Sequence, residues 1–222
     1  MAPRSDLTKT RAQNDEVLDL ARRTKGRFYA VCSVHPFDGP SALREVSRVA
    51  SQGAKALKLH PNTQDFDVAD PRVKAVAARA AKEGLPVLFD AYSPFDRDQP
   101  GKFVRLALEV PLGRFILAHA HGPNFPDLLV YDILARYPWW KRNVWVDLSG
   151  TANLLSGGPY VKGFAWVLRK MGVDRLLFGS DYPIDPPQDA VRAVSTLGFS
   201  SRELQRIFYA NAAELLGFPA LR

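Results

Sequence analysis

Six short runs of apolar, β-branched and aromatic residues recur along the chain: 27–34 (RFYAVCSV), 54–59 (AKALKL), 86–89 (PVLF), 114–118 (RFILA), 143–148 (NVWVDL) and 175–179 (RLLFG). Their apolar positions are continuous rather than alternating, which suits strands buried on both faces, as in parallel sheets. Helical spacing fills the gaps between them. Val73, Val76, Ala77, Ala80 and Ala81 repeat behind Asp70 and Pro71, an N-cap and a first-turn proline, and Gly84 supplies the stop. Leu43, Val46, Val49 and Ala50 do the same and end at Gly53. Ser200-x-x-Glu203 is a capping box ahead of Leu204, Ile207, Phe208 and Leu215. With a leading helix over about residues 8–24, the order is one helix and then six βα units. That order predicts right-handed crossovers and a parallel sheet covered by helices. An open doubly wound sheet accepts six strands, whereas a (β/α)8 barrel needs eight and about 250 residues. Periodicity does not separate the two. No G-x-G-x-x-G or phosphate-loop motif follows the first strand, so nucleotide-fold fingerprints are absent.

Composition narrows the class. The 222 residues, 46% apolar and 24% charged, predict one globular domain over 1–222, with residues 1–7 disordered. No run of about 18 apolar residues is present, which excludes a membrane-spanning helix, and the amino terminus lacks the apolar core of a secretory signal. A lone cysteine, Cys32, cannot form an internal disulfide, so a reducing cytoplasm is the expected compartment and a small core side chain its expected role. Thirty Lys and Arg against 23 Asp and Glu give +7, but the densest basic spots are the pairs Arg22-Arg23 and Lys141-Arg142. Charge this scattered is solvated surface and speaks against a nucleic-acid partner.

The ionisable residues gather at strand exits. His35 follows SV, His60 follows LKL, and His119 and His121 follow FILA; Asp90 follows PVLF, Asp147 lies in VWVDLSG, and Asp181 follows LLFGS. In parallel α/β folds, ligands and chemistry assemble at the strand carboxyl ends. Imidazoles and carboxylates converging there suit zinc, manganese or iron, which would lower the pKa of bound water while a nearby His or Asp moves protons. The same residues also have structural readings. His35-Pro36 and His60-Pro61 are X-Pro steps, where a histidine can simply hydrogen-bond a loop. Asp147 and Asp90 can form turns. His119 and Asp181 are delivered by buried strands and are the stronger functional candidates.

Taken in order, GAKALKLHP, PVLFD, FILAHAHG, VWVDLSG, LLFGSDYP and IFYANAAELLGF resemble the amidohydrolase superfamily. The resemblance is to its amidohydrolase-related branch of nonoxidative decarboxylases, such as 2-amino-3-carboxymuconate-6-semialdehyde decarboxylase, and lactone hydrolases. It covers about residues 12–218. It implies a (β/α)8 TIM-barrel type fold, N-terminally incomplete, in which the six strands are the third to the eighth. It also implies that Asp181 is the eighth-strand aspartate that binds metal and helps activate water or substrate. His119 is then the sixth-strand histidine acting on substrate or metal-bound water. Asp90 stands where the family has a fifth-strand metal histidine, and His60 matches a frequent loop histidine. The implied metal set is Asp181, Asp90 and His119, around a divalent ion, zinc before manganese or iron. His60, His35, His121, Asp147 and Tyr182 are the implied substrate contacts. The family's first-strand H-x-H is missing before Arg27; the one H-x-H present, His119-x-His121, belongs to a different unit. Either the gene start lies upstream or the barrel is shortened, and open sheet edges would then favour a homodimer. The implied activity is metal-dependent hydrolysis of a small carboxylate, lactone or amide. The alternatives are decarboxylation on the same scaffold and a non-catalytic remnant.

Overall fold

In the computed structural model, which describes residues 5–218, the chain forms two compact units, Met1–Phe115 and Ile116–Arg222. Of the segment 1–7 expected to be disordered, residues 1–4 lie outside the described residues, while the Asp6 carboxylate caps the first helix by accepting from the Lys9 amide.

The first unit runs α1 (Leu7–Arg23), β1 (Val31–Ser33), α2 (Pro40–Ser51), β2 (Ala56–Leu59), α3 (Pro61–Gln64), α4 (Pro71–Lys82), β3 (Val87–Asp90) and α5 (Gln99–Glu109). Its strands are parallel and neighbour in chain order, with Val31 opposite Ala56 and Leu57 opposite Val87. The periodic positions of α2 and α4 (Val46, Val49, Val73, Val76 and Ala77) are buried with Leu57, Leu59 and Phe89. Each buried branched or aromatic side chain of this kind is worth about 1.5–3 kcal/mol. The expected caps form: Asp70 accepts from the Arg72 amide, and Gly84 takes the positive φ that ends α4. The first strand is shorter than its apolar run, because Phe28 and Tyr29 are exposed and do not join the ladder. Its main chain is met from α1. The Asn14 amide donates to the Ser33 carbonyl and accepts from the Ser33 N–H, both at 2.9 Å, as a neighbouring strand would. Asn14 also bonds Glu45, a fully buried carboxylate held by Arg11 at 3.1 Å and Arg48 at 2.7 Å. Cys32 is buried, and burial followed by the nearby Glu45 charge pushes its thiol up to about 11, so it is an inert core group.

The second unit carries β4 (Phe115–Ala118, its first residue belonging to the first unit), α6 (Leu129–Leu134), β5 (Val144–Asp147), α7 (Thr151–Leu155), α8 (Val161–Met171), β6 (Leu176–Leu177), α9 (Pro187–Ser195), α10 (Ser201–Gln205) and α11 (Asn211–Leu216). β5 and β6 are parallel, with Val146 opposite Leu176. Ser200 and Glu203 form the expected reciprocal capping box. The single last helix expected beyond it is interrupted by a π-turn at Arg206–Ala210. Asn211, from the NAAELLG motif, donates to the Val173 and Leu176 carbonyls at 2.7 and 2.8 Å, pinning this end of the chain to the start of β6. No described helix is long and apolar enough to cross a membrane.

Candidate active site

The seven strand-exit groups divide between the units. In the first, His35 is buried and both ring nitrogens are engaged: Nδ1 accepts from the Phe37 amide at 3.2 Å, and Nε2 meets the Gln64 carbonyl at 2.9 Å. A carbonyl only accepts, so Nε2 carries the proton. His60 is arranged alike. Its Nδ1 accepts from the Thr63 amide at 3.4 Å, and its Nε2 lies 3.3 Å from Asp90 Oδ2. Each histidine thus caps the turn behind its own X-Pro step, and Asp90 is engaged by His60. Gln64 ties the two exits together. Its Nε2 donates to the Val34 carbonyl and its Oε1 accepts from the His60 N–H, both at 2.9 Å. Nothing in the sequence reading singled it out.

In the second unit the chain leaves β4 through a run of left-handed residues, His119 (φ 62°), Ala120 (φ 44°), His121 (φ 62°) and Gly122 (φ 57°). Non-glycine residues adopt this region at a cost of about 1–2 kcal/mol each, and such strain persists where surrounding structure over-determines it. Here β5 supplies that structure. Asp147 Oδ1 accepts from the His119 N–H at 3.2 Å, from the Ser149 N–H at 3.0 Å, and from the Ser149 hydroxyl. Thr151 Oγ1 donates to the His119 carbonyl at 2.5 Å. The half-buried His119 ring places Nδ1 3.0 Å from Ser149 Oγ and 3.3 Å from the Ser149 carbonyl.

This geometry fixes the tautomer. The Ser149 proton goes to Asp147, and a main-chain carbonyl cannot donate, so Nδ1 carries the imidazole proton and Nε2 the lone pair. Ser149 is therefore a link between ring and carboxylate, and its hydroxyl is turned away from nucleophilic use. His119–Ser149–Asp147 is a row that can hold an imidazole in orientation while Nε2 gains and loses protons. Ser149 and Thr151 were missed in the sequence. Their signal was the D-x-S-x-T run just past β5, which sets two hydroxyls in the turn and the first helical position next to a strand-end carboxylate.

Gly179 brings the β6 exit to this row. A Cβ there would stand 3.2 Å from Ser149 Cβ and 3.3 Å from Asp147 Oδ1, a spacing that a side chain would crowd. Two residues on, Asp181 is exposed with φ 61°, and its carboxylate has no partner among the described residues. Tyr182 is exposed as well, and His121 is buried. Carboxylates and imidazoles are donors that a divalent ion accepts, yet among the described residues no three His, Cys, Asp or Glu side chains come together to hold one. The residues as placed do not make a metal centre by themselves.

A family model described as amidohydrolase matches residues 4–218, and the chain belongs to that family. Among solved structures it resembles 5-carboxyvanillate decarboxylase of Novosphingobium aromaticivorans, complexed with manganese and 4-hydroxy-3-methoxy-5-nitrobenzoic acid (19% identity, 95% of this chain and 70% of that one, TM-score 0.72). It also resembles 2,6-dihydroxybenzoate decarboxylase from Rhizobium (16%, 95% and 77%, TM-score 0.74) and a TIM-barrel protein from Bordetella bronchiseptica (20%, 92% and 72%, TM-score 0.75). The fold is thus the α/β TIM-barrel type, with six strands among the described residues. No curated protein matches the chain.

Proposed function

We propose that the chain is an acid–base enzyme acting on a small carboxylate, lactone or amide, with His119 Nε2 moving the proton. The observation that supports this is the row His119–Ser149–Asp147, which keeps the proton on Nδ1 and the lone pair on Nε2. In hydrolysis, Nε2 takes a proton from the attacking water and returns it to the leaving group. In decarboxylation, protonated Nε2 delivers its proton to the ring carbon as the bond to the departing carbon dioxide breaks and leaves its electron pair there. Positioned acid–base catalysis of this kind contributes about 10²–10⁴ in rate. Hydrolysis is the activity that the family resemblance implies first; the activities of two similar solved proteins favour its alternative, decarboxylation of a hydroxylated aromatic acid.

The same reading expects a divalent ion, zinc with manganese or iron as substitutes, with Asp181 as a carboxylate donor. Because no three-donor cluster is assembled among the described residues, no proton step here runs through that ion. A cytoplasmic homodimer is the working form this reading expects. The test incubates the purified protein, with and without added manganese or zinc, with 5-carboxyvanillate, 2,6-dihydroxybenzoate and a panel of small lactones and amides. Carbon dioxide release or ring opening that disappears in His119→Asn is expected. Turnover unchanged in that variant, or no turnover of any probe under either condition, overturns the proposal and leaves a non-catalytic scaffold.

A further inference from the structure

At the amino ends of β5 and β6, in the second unit, two arginines share one carboxylate. Arg142 precedes β5, and Asp174 and Arg175 lead into β6. Asp174 Oδ1 accepts from Arg142 Nη2 at 3.3 Å, and its Oδ2 stands 3.5 Å from Arg175 Nε. Two positive charges thus face one negative. The Arg175 guanidinium lies over the Trp145 ring, 4.5 Å from its centroid. A guanidinium carries five N–H donors, and those of Arg175 make no hydrogen bond among the described residues. Its Nε is sealed from solvent, whereas Nη1 and Nη2 are open to it. Burial pushes the Arg175 pKa down; Asp174 opposes that shift and the Arg142 charge adds to it. This side chain is therefore short of both acceptors and negative charge, although polar groups in such half-buried positions are ordinarily satisfied. Gly172 keeps the space beside the pair clear. A Cβ there would stand 2.8 Å from Asp174 Oδ1 and 3.1 Å from Arg142 Nη2.

We propose that Arg142 and Arg175 bind the carboxylate of a small organic acid, which sits as a second anion beside Asp174. Charge selects the class: one added negative balances the three groups, whereas a phosphate dianion overshoots. Shape agrees, because the two Nη groups of a guanidinium form a planar fork that matches a planar carboxylate. Arg175 offers that fork from the Trp145 ring, and Arg142, with 45% of its side chain exposed, closes on the anion from the solvent side. Cations are repelled by the same pair. The four residues of β5, roughly 13 Å of strand, separate this place from the carboxyl end where Asp147 meets His119. The site is thus distinct from the proposed chemistry and does not depend on it.

The test titrates the full chain with sodium acetate and follows amide chemical shifts against sodium chloride at matched ionic strength. Saturable shifts at residues 142–145 and 172–176 are expected. Arg142→Gln, at an exposed position, should weaken acetate binding by about threefold or more. Arg175→Met, which keeps an apolar stem over Trp145, should abolish it. Asp174→Asn should tighten it by about threefold, because the competing carboxylate is gone. Sodium phosphate should bind no more tightly than acetate. Shifts that fail to saturate, that match those of chloride or that fall only elsewhere overturn the proposal, as does an affinity that Asp174→Asn leaves unchanged or lowers. Tighter binding of phosphate overturns the assignment to a carboxylate. Should Arg175→Met fail to fold, Arg142→Gln and Asp174→Asn decide alone.

Discussion

His35 and His60 in the first unit and His119 in the second all leave β-strands, yet their rings are used differently. The first two precede prolines, keep extended backbone (φ −97° and −131°) and turn Nδ1 onto the next turn of their own loop. That is the work of an N-cap, which Ser, Asp or Asn does elsewhere. His119 has left-handed backbone and directs Nδ1 to Ser149, beyond the neighbouring strand β5. The same residue type at the same topological position is thus a loop staple in one unit and, in the function we propose, an oriented acid–base group in the other. What distinguishes them is the partner of Nδ1. In His35 and His60 it accepts from an amide of the ring's own loop, which puts the proton on Nε2 toward Gln64 and Asp90. In His119 it meets Ser149 beyond the neighbouring strand, and the opposite tautomer is held.

The sharpest way to break this contrast is to remove each kind of ring in turn. His119→Asn should lower kcat by about 10³-fold, roughly 4 kcal/mol of transition-state stabilisation, and leave the urea midpoint nearly unchanged. His35→Asn retains a capping oxygen but loses the bond from Nε2 to Gln64, so it should cost about 1–3 kcal/mol of stability and leave kcat within about twofold. Rates and urea melts on both variants decide it. Equal loss of activity in the two would show that position at a strand exit, rather than the ring's partners, sets the role.

The buried charge of the first unit gives the next largest effect. Burial alone would raise the pKa of Glu45, but hydrogen bonds from Arg48, Asn14 and Arg11 outweigh it and hold the carboxyl below its ordinary value of 4.5. A depressed folded pKa stabilises the fold above the unfolded value, and that contribution drains away as pH falls below it. Urea melts between pH 7 and pH 3 should therefore show stability declining below about pH 4.5. Glu45→Gln should lack that component, and Glu45→Ala, which removes the partner of Asn14 and Arg11 while Arg48 keeps Asp15, should cost about 1–3 kcal/mol at pH 7. An unchanged pH slope in Glu45→Gln would assign the acid sensitivity to other carboxylates.

Ser149→Ala probes the row in the second unit more gently, because the Ser149 main-chain carbonyl still faces Nδ1. We expect kcat to fall by about tenfold, with KM unchanged and the pH–rate profile displaced. A change in KM alone would make Ser149 a substrate contact instead of a positioning residue.

Much of this was legible in the sequence, for identifiable reasons. Continuous apolar runs marked all six strands, and Asp70, Gly84 and the Ser200–Glu203 box marked helix ends, because these are local signals with local energies. Strand ends were less legible: 27–34 became Val31–Ser33, since pairing with β2 and not hydrophobicity sets where a ladder stops. The loop readings of His35 and His60 were visible in their prolines. The partner of Asp90, the role of Gln64 and the meeting of Arg142 and Arg175 at Asp174 were not, because each depends on segments brought together by the fold. Ser149 stood in plain view in DLSG, but its link to His119 spans 30 residues.

The finest test of the contrast compares two buried alanines, one in each unit. Ala56 lies in β2 with ordinary extended backbone, whereas Ala120 is left-handed at φ 44°, and both are at most 2% exposed. Replacing either by glycine removes a buried methyl, about 0.8 kcal/mol, and adds about 0.5–1 kcal/mol of unfolded-chain freedom. At Ala56 nothing offsets these losses, so about 1.5 kcal/mol should be lost. At Ala120 glycine relieves about 1–2 kcal/mol of left-handed strain, which brings the net change close to zero. Paired urea melts measure the difference directly. A loss at Ala120 equal to that at Ala56 would mean that the turn carrying His119 stores no strain, and that Asp147 and Thr151 hold it in a conformation it would adopt unaided.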